Sequence, residues 1–129
     1  MIDTSRLAHP KGSTLLGRAI ARQTARRTDS QQLRTWAAAV KARDQWRDRH
    51  TGRRVFASRS LDPDRAEAHH IVSKADRAVR IDVRNGLTLS LATHTAVELH
   101  QLRIVGTAWF TKGGVRYIDA TAPVRFVVE

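Results

Sequence analysis

The sequence predicts an α+β fold with N-terminal helices, a central strand–strand–helix unit and a C-terminal β-hairpin. Three observations carry that expectation. Leu33, Trp36, Ala37 and Val40 recur at helical spacing ahead of the centre of the chain. Between about residues 65 and 102 the apolar pattern changes from period two to period 3.6, as strands followed by a helix require. After Leu102, two apolar runs flank Lys112-Gly113-Gly114, a turn signal, so they pair as a hairpin.

In chain order, Met1 to Ser13 carry Pro10-Lys11-Gly12 and little periodicity, which predicts an arm without regular structure. Leu15 to Arg27 reads as a first helix, with Leu15, Leu16, Ala19 and Ile20 on one side and Arg18, Arg22 and Arg26 in a row at i, i+4 spacing. Residues 1–28 are therefore expected to form a basic arm and helix, distinct from a domain over 29–129. Asp29, with Gln32 three positions later, reads as the start of a second helix running towards Trp46. Gly52 ends that element, and Leu61-Asp62-Pro63-Asp64 is a turn.

Ala66 to Val72 is a short strand. Asn85-Gly86 is a turn signal, and Leu87-Thr88-Leu89-Ser90-Leu91 alternates as a half-buried strand does. From Ala92, helical spacing resumes through Ala96, Leu99 and Leu102. At the C-terminal end, 103–129 is read as a β extension. In it, Leu102 to Phe110 forms one strand, Val115 to Ile118 its partner, and Val124 to Val128 a last strand after Pro123.

Composition narrows the chemistry. The net charge is +11 over 129 residues, and 19 of the 23 basic side chains are arginine. Arginine grips phosphate oxygens with a bidentate fork, so a polyanion is the first partner to expect. No apolar run is long enough to cross a membrane and the N-terminus lacks the apolar stretch of a secretory signal, which together predict a soluble, cytoplasmic protein. The absence of cysteine excludes disulfides and thiolate metal sites.

The candidate site lies in the central unit. Four of the six histidines fall there: His69 and His70 are adjacent, Asn85 lies between the two strands, and His94 is near the start of the helix. Each has an ordinary structural role when taken alone. Together, on two strands and a helix, they converge. Neighbouring residues on a strand point to opposite faces, so His69 and His70 must act differently, but the residues alone do not say which is which. A neutral imidazole suits removal of a proton from water, and a divalent cation suits stabilisation of a phosphorane and its leaving oxygen. Glu98, one helical turn after His94, is either a further ligand or the fourth member of a capping box opened by Thr95, and the cap is the favoured reading.

The His69-His70 doublet, Asn85 in Asn-Gly-Leu-Thr-Leu, and His94 nine positions on resemble the HNH endonucleases, metal-dependent nucleases with a ββα-metal fold. The resemblance covers Val40 to Leu102. It implies that His70 is the general base, that Asn85 orders the loop at the catalytic centre, and that His69 and His94 bind a single divalent ion, with Mg²⁺ expected first and Mn²⁺, Ni²⁺ or Zn²⁺ as alternatives. Many members also carry four cysteines around a structural zinc, and Asp48, Thr51, Ser90 and Thr93 stand at those positions here. Hydroxyls are poor zinc ligands, so no structural zinc is expected, and the C-terminal section is expected to take over its stabilising role.

The function that follows is hydrolysis of DNA phosphodiester bonds, with Lys74, Arg77, Arg80 and Arg84 on the loop between the motif strands meeting the backbone. Phages, restriction systems and toxins all use small proteins of this kind. The mild preference is for a phage or prophage nuclease, with packaging or restriction proteins as partners. The competing reading is a basic nucleic-acid-binding module whose histidines are structural.

Overall fold

The computed structural model describes residues 14–129; the arm expected over 1–13 lies outside the described residues. The described residues fall into two units, one ending at Gln32 and the other spanning Leu33–Glu129. Helix α1 spans Leu15–Arg43, so the unit boundary falls inside it. Two helices were expected here and one is found. No proline interrupts the sequence between Leu15 and Arg43, and Thr28 Oγ1 donates to the Thr24 carbonyl within the helix, so the apparent start signal at Asp29 opens nothing. The helix ends on Gln45 and Trp46, both in the left-handed region (φ 56° and 53°), with Trp46 N–H donating back to the Lys41 carbonyl.

The second unit is α+β. Strand β1 (Ala66–His70) pairs antiparallel with β2 (Gly86–Ser90), and helix α2 (Leu91–Glu98) follows directly. A single 3₁₀ turn, Val83–Asn85, leads into β2. The alternation in β2 has the expected period, yet the strand is buried on both faces rather than one. Leu87 and Leu89 face a core with Ile104 and Ala120. Burying each leucine contributes about 1.5–3 kcal/mol. The other face carries Gly86, Thr88 and Ser90. It is covered by the end of α1 and the segment after it: Thr88 N–H donates to Asp44 Oδ2 (2.8 Å), Thr88 Oγ1 donates to the Val40 carbonyl, and Asp48 accepts from Ser90. A polar face can be buried when each group meets a partner, and here each does.

Several arginines are spent inside this unit. Arg43 donates to the Val83 and Gly86 carbonyls at 2.7 and 2.6 Å, and Arg49 donates to those of Ala120 and Ala122 at 2.6 and 3.0 Å. Asp44 pairs with both. These two guanidinium groups cap strand and loop ends, which qualifies the reading of the arginine excess as wholly a surface for a polyanion.

The C-terminal section contains the expected hairpin about Lys112-Gly113-Gly114, and a second two-stranded sheet as well. Strand β3 (Leu102–Gly106) pairs with β6 (Val124–Val128), whereas β4 (Ala108–Phe110) pairs with β5 (Arg116–Ile118). The strand expected over Leu102 to Phe110 breaks at Thr107, whose carbonyl accepts from Asp119 N–H at 2.8 Å. Gly106 fits the crossing closely: a β-carbon there would lie 3.2 Å from both Ile118 and Val124. Ile104, Val124 and Phe126 pack on the β2 core, so this section supplies apolar cover, as expected.

Candidate functional site

At the end of β1 the two histidines point to opposite faces. His69 pairs across the ladder with Leu87 and turns towards α2; His70 pairs with Gly86 and turns towards α1. On α2, His94 and Glu98 are one turn apart and so share a face. His69, His94 and Glu98 each offer a ligand atom, and these atoms all lie within 4.8 Å of one another. Glu98 Oε1 is 3.2 Å from His94 Nε2 and 3.7 Å from His69 Nδ1, and the two rings meet edge-on with centroids 5.1 Å apart. Ligand atoms about 2.0–2.2 Å from one ion lie roughly 3.0–3.5 Å apart, so this spacing is close to what a shared cation requires.

The capping box expected from Thr95 is not formed. Ser90 is the N-cap, its hydroxyl accepting from Thr93 N–H. Thr95 lies inside the helix and donates to the Leu91 carbonyl at 2.8 Å. Because the helix begins at Leu91, Glu98 stands at its far end and turns to the histidines.

Electrostatics suit ligation. The side chain of His69 is 11 % exposed. Burial, and then the neighbouring His94, push it down to about 4 against the opposing pull of Glu98, so at neutral pH it carries no charge and keeps a lone pair to offer. The donor set of two imidazoles and a carboxylate fits a divalent metal. It suits Mn²⁺, Ni²⁺ or Zn²⁺ better than Mg²⁺, which prefers oxygen ligands.

His70 is held on two sides. Its ring stacks on Trp36, with centroids 3.8 Å apart and planes 11° from parallel, and its Nε2 lies 2.9 Å from the Arg80 carbonyl. A carbonyl only accepts, so Nε2 carries the hydrogen and Nδ1 of the neutral ring carries the lone pair. Burial is the main cause that lowers its pKa; the Arg80 carbonyl opposes this and the nearby Lys74 adds to it. His69, His70, Lys74, His94 and Glu98 all line one cleft of about 740 Å³, as do His100 and Arg103.

Asn85 is fully buried and makes no approach to that cleft. Its Oδ1 accepts from Val72 N–H (2.8 Å) and its Nδ2 donates to the Val72 carbonyl (2.9 Å), which ties the chain after β1 to the start of β2. Of the loop cations, Lys74 lines the cleft; Arg77, Arg80 and Arg84 do not. The Arg84 guanidinium binds Asp82 (2.8 Å) and lies 3.6 Å over the Trp109 ring. The Asp76–Tyr117 hydrogen bond (2.8 Å) ties the same loop to β5.

Asp48, Thr51, Ser90 and Thr93 form a second polar cluster. Asp48 is 1 % exposed; its Oδ2 accepts from Ser90 Oγ (2.7 Å) and Thr93 Oγ1 (2.6 Å), and its Oδ1 from the amides of His50 (2.7 Å) and Thr51 (3.3 Å). Although burial works the other way, these bonds hold the carboxyl below its ordinary value. A hydrogen-bonded carboxylate thus holds this end of α2, in addition to the apolar cover that the C-terminal section supplies on the β2 core. The sequence groups Asp48 with Thr51, Ser90 and Thr93 by spacing but does not show that its carboxylate gathers their donors, and it gives Trp36 no part in the site. Trp36 stood in an ordinary helical stripe, and Asp48 is polar at a position where the pattern leads one to look for a thiol.

Comparison of the chain with protein-family models, with curated proteins and with solved structures found no match.

Proposed function

We propose that this chain is a metal-dependent endonuclease of the HNH type that hydrolyses DNA phosphodiesters. The observation that carries the reading is a single cleft shared by three convergent metal donors and a further, separately anchored imidazole. His69, His94 and Glu98 would hold one divalent ion. When bound, that ion supplies positive charge to the phosphoryl and leaving oxygens. His70, its lone pair on Nδ1 and its Nε2–H engaged by Arg80, accepts a proton from the attacking water. Lys74, in the same cleft, offsets phosphate charge. Asn85 acts through the backbone, keeping the loop in register with β2.

The test is relaxation of supercoiled plasmid DNA by the purified chain with Mn²⁺, Ni²⁺, Zn²⁺ or Mg²⁺. Cleavage is expected with at least one of these ions, is lost in chelator and returns on adding the ion. The far-ultraviolet dichroism should be unchanged throughout, because the Asp48 cluster holds the fold without metal. Salt-dependent DNA binding with no cleavage under any ion would overturn the reading in favour of a basic binding module.

A further inference from the structure

We infer that Trp36, on a helix preceding the strand–strand–helix unit, is a positioning residue for His70 and sets the direction of its Nδ1. The inference rests on the reading of His70 as the general base. Three observations carry it. The indole and imidazole are nearly parallel at 3.8 Å, so the ring plane of His70 is fixed by an aromatic face. The Arg80 carbonyl, 2.9 Å from Nε2, fixes rotation within that plane; turning the ring over would exchange Nε2 for carbon and break the bond. The space for the stack comes from Gly86, which stands opposite His70 in the ladder. A β-carbon at Gly86 would lie 2.3 Å from Trp36 Cζ2 and 2.8 Å from Val40, so only glycine lets the indole reach the imidazole.

Trp36 is itself anchored. It is 4 % exposed, and its Nε1–H donates to the Asp82 carbonyl at 2.9 Å. Asp82 also caps the 3₁₀ turn that ends in Asn85, accepting from Arg84 N–H. The indole therefore joins the loop, the strand start and the base into one rigid group. Misdirection of a general base by about 1 Å costs on the order of 10²-fold in rate, so a fixed ring is worth that much to turnover.

The test compares Trp36→Phe, Trp36→Leu, Gly86→Ala and His70→Ala in the full chain, reading kcat and KM on DNA, Mn²⁺ affinity and thermal melting. Trp36→Leu and Gly86→Ala should each lower kcat by roughly 10²-fold, leaving KM and Mn²⁺ affinity as in the parent. Trp36→Phe, which keeps an aromatic face, should restore most of kcat. A folded Trp36→Leu with parental kcat, or one losing Mn²⁺ affinity in step with kcat, overturns the inference. The base reading fails separately: His70→Ala with parental kcat overturns it whatever the Trp36 variants do. Long-range ¹⁵N–¹H spectra of the parent protein supply a readout independent of any variant's folding. His70 should be a single neutral tautomer with hydrogen on Nε2 and ring protons shifted upfield by the indole. Averaged nitrogen shifts, or ring protons at ordinary positions, overturn the inference.

Discussion

Two polar clusters sit on either side of α2 and behave as opposites. At the N-terminal end of the helix, Asp48 is surrounded by donors: two hydroxyls and the amides of His50, Thr51 and Ser90, all with the carboxylate as acceptor. Further along the same helix, His69, His94 and Glu98 bring ligand atoms together, with Glu98 Oε1 3.2 Å from His94 Nε2 and 3.7 Å from His69 Nδ1. The first cluster is closed, because every lone pair it buries meets a hydrogen. The second lines a cleft, where its ligand atoms can meet a cation. A buried carboxylate saturated by donors stabilises a fold; ligand atoms gathered at an opening are what a cation site requires. Four residues of α2 and its cap decide this: Ser90 and Thr93 turn towards Asp48, while His94 and Glu98 turn towards His69.

Breaking the open side should have the largest effect. His70→Ala is expected to lower plasmid cleavage by about 10²–10⁴-fold, the usual contribution of a general base, while melting temperature and Mn²⁺ binding stay near those of the parent. The reading of His70 fails if the variant turns over at the parental rate.

Breaking the closed side should act on stability instead. Asp48→Ala leaves the Ser90 and Thr93 hydroxyls and several amides without their acceptor, at a cost of about 3 kcal/mol or more. Urea unfolding would read this as a lower midpoint. The part of the variant still folded should bind Mn²⁺ as the parent does, since Asp48 contributes nothing to the cleft. A midpoint equal to the parent's would show that the saturated carboxylate is not what holds this end of the helix.

A smaller loss is expected at Glu98. Replacing even outer partners of a metal site weakens binding by about 10- to 100-fold, so Glu98→Ala should weaken Mn²⁺ by at least that range, read by calorimetry. Its effect on urea stability should be slight, because the Glu98 side chain is 61 % exposed. Strong destabilisation with unchanged metal affinity would return Glu98 to a structural role and erase the contrast between the clusters.

The smallest effect is a pH dependence confined to the closed cluster. The folded-state pKa of Asp48 lies below its ordinary value of 3.8. Its ionised form is therefore favoured by folding, and that stability is fully present above about pH 4. It is lost as pH falls through the lower, folded-state value. Asp48→Asn should remove this share of the acid-dependent loss from a series of urea midpoints; parent and variant falling in parallel below pH 4 would speak against it.

Much of the site was legible because it is local. His69 and His70 are adjacent, His94 follows Asn85 at short range, and strand and helix periods place them without knowledge of the rest of the fold. The expectation failed where a role depends on partners distant in sequence. Asp48 and Ser90 are 42 residues apart, and Trp36 and Asp82 are 46 apart. A buried aspartate with five donors looks, in sequence, like any surface aspartate. Arg43 and Arg49, counted from composition towards a polyanion, prove to be internal caps, because their carbonyl partners come from turns and strand ends up to 73 residues away.

The chain's own residues thus determined the element types of the central unit, the separation of His69 from His70 on opposite faces, the absence of thiolate chemistry and the strong positive charge. Each follows from covalent neighbours or from simple periodicity. Tertiary structure alone decided that α1 is continuous, that Glu98 joins the histidines rather than capping its helix, that Asp48 gathers the hydroxyls of Ser90 and Thr93, and that an indole passes over Gly86 to lie against His70. These depend on which surfaces pack together, and on whether a polar group entering the interior finds a donor, an acceptor or an opening to solvent.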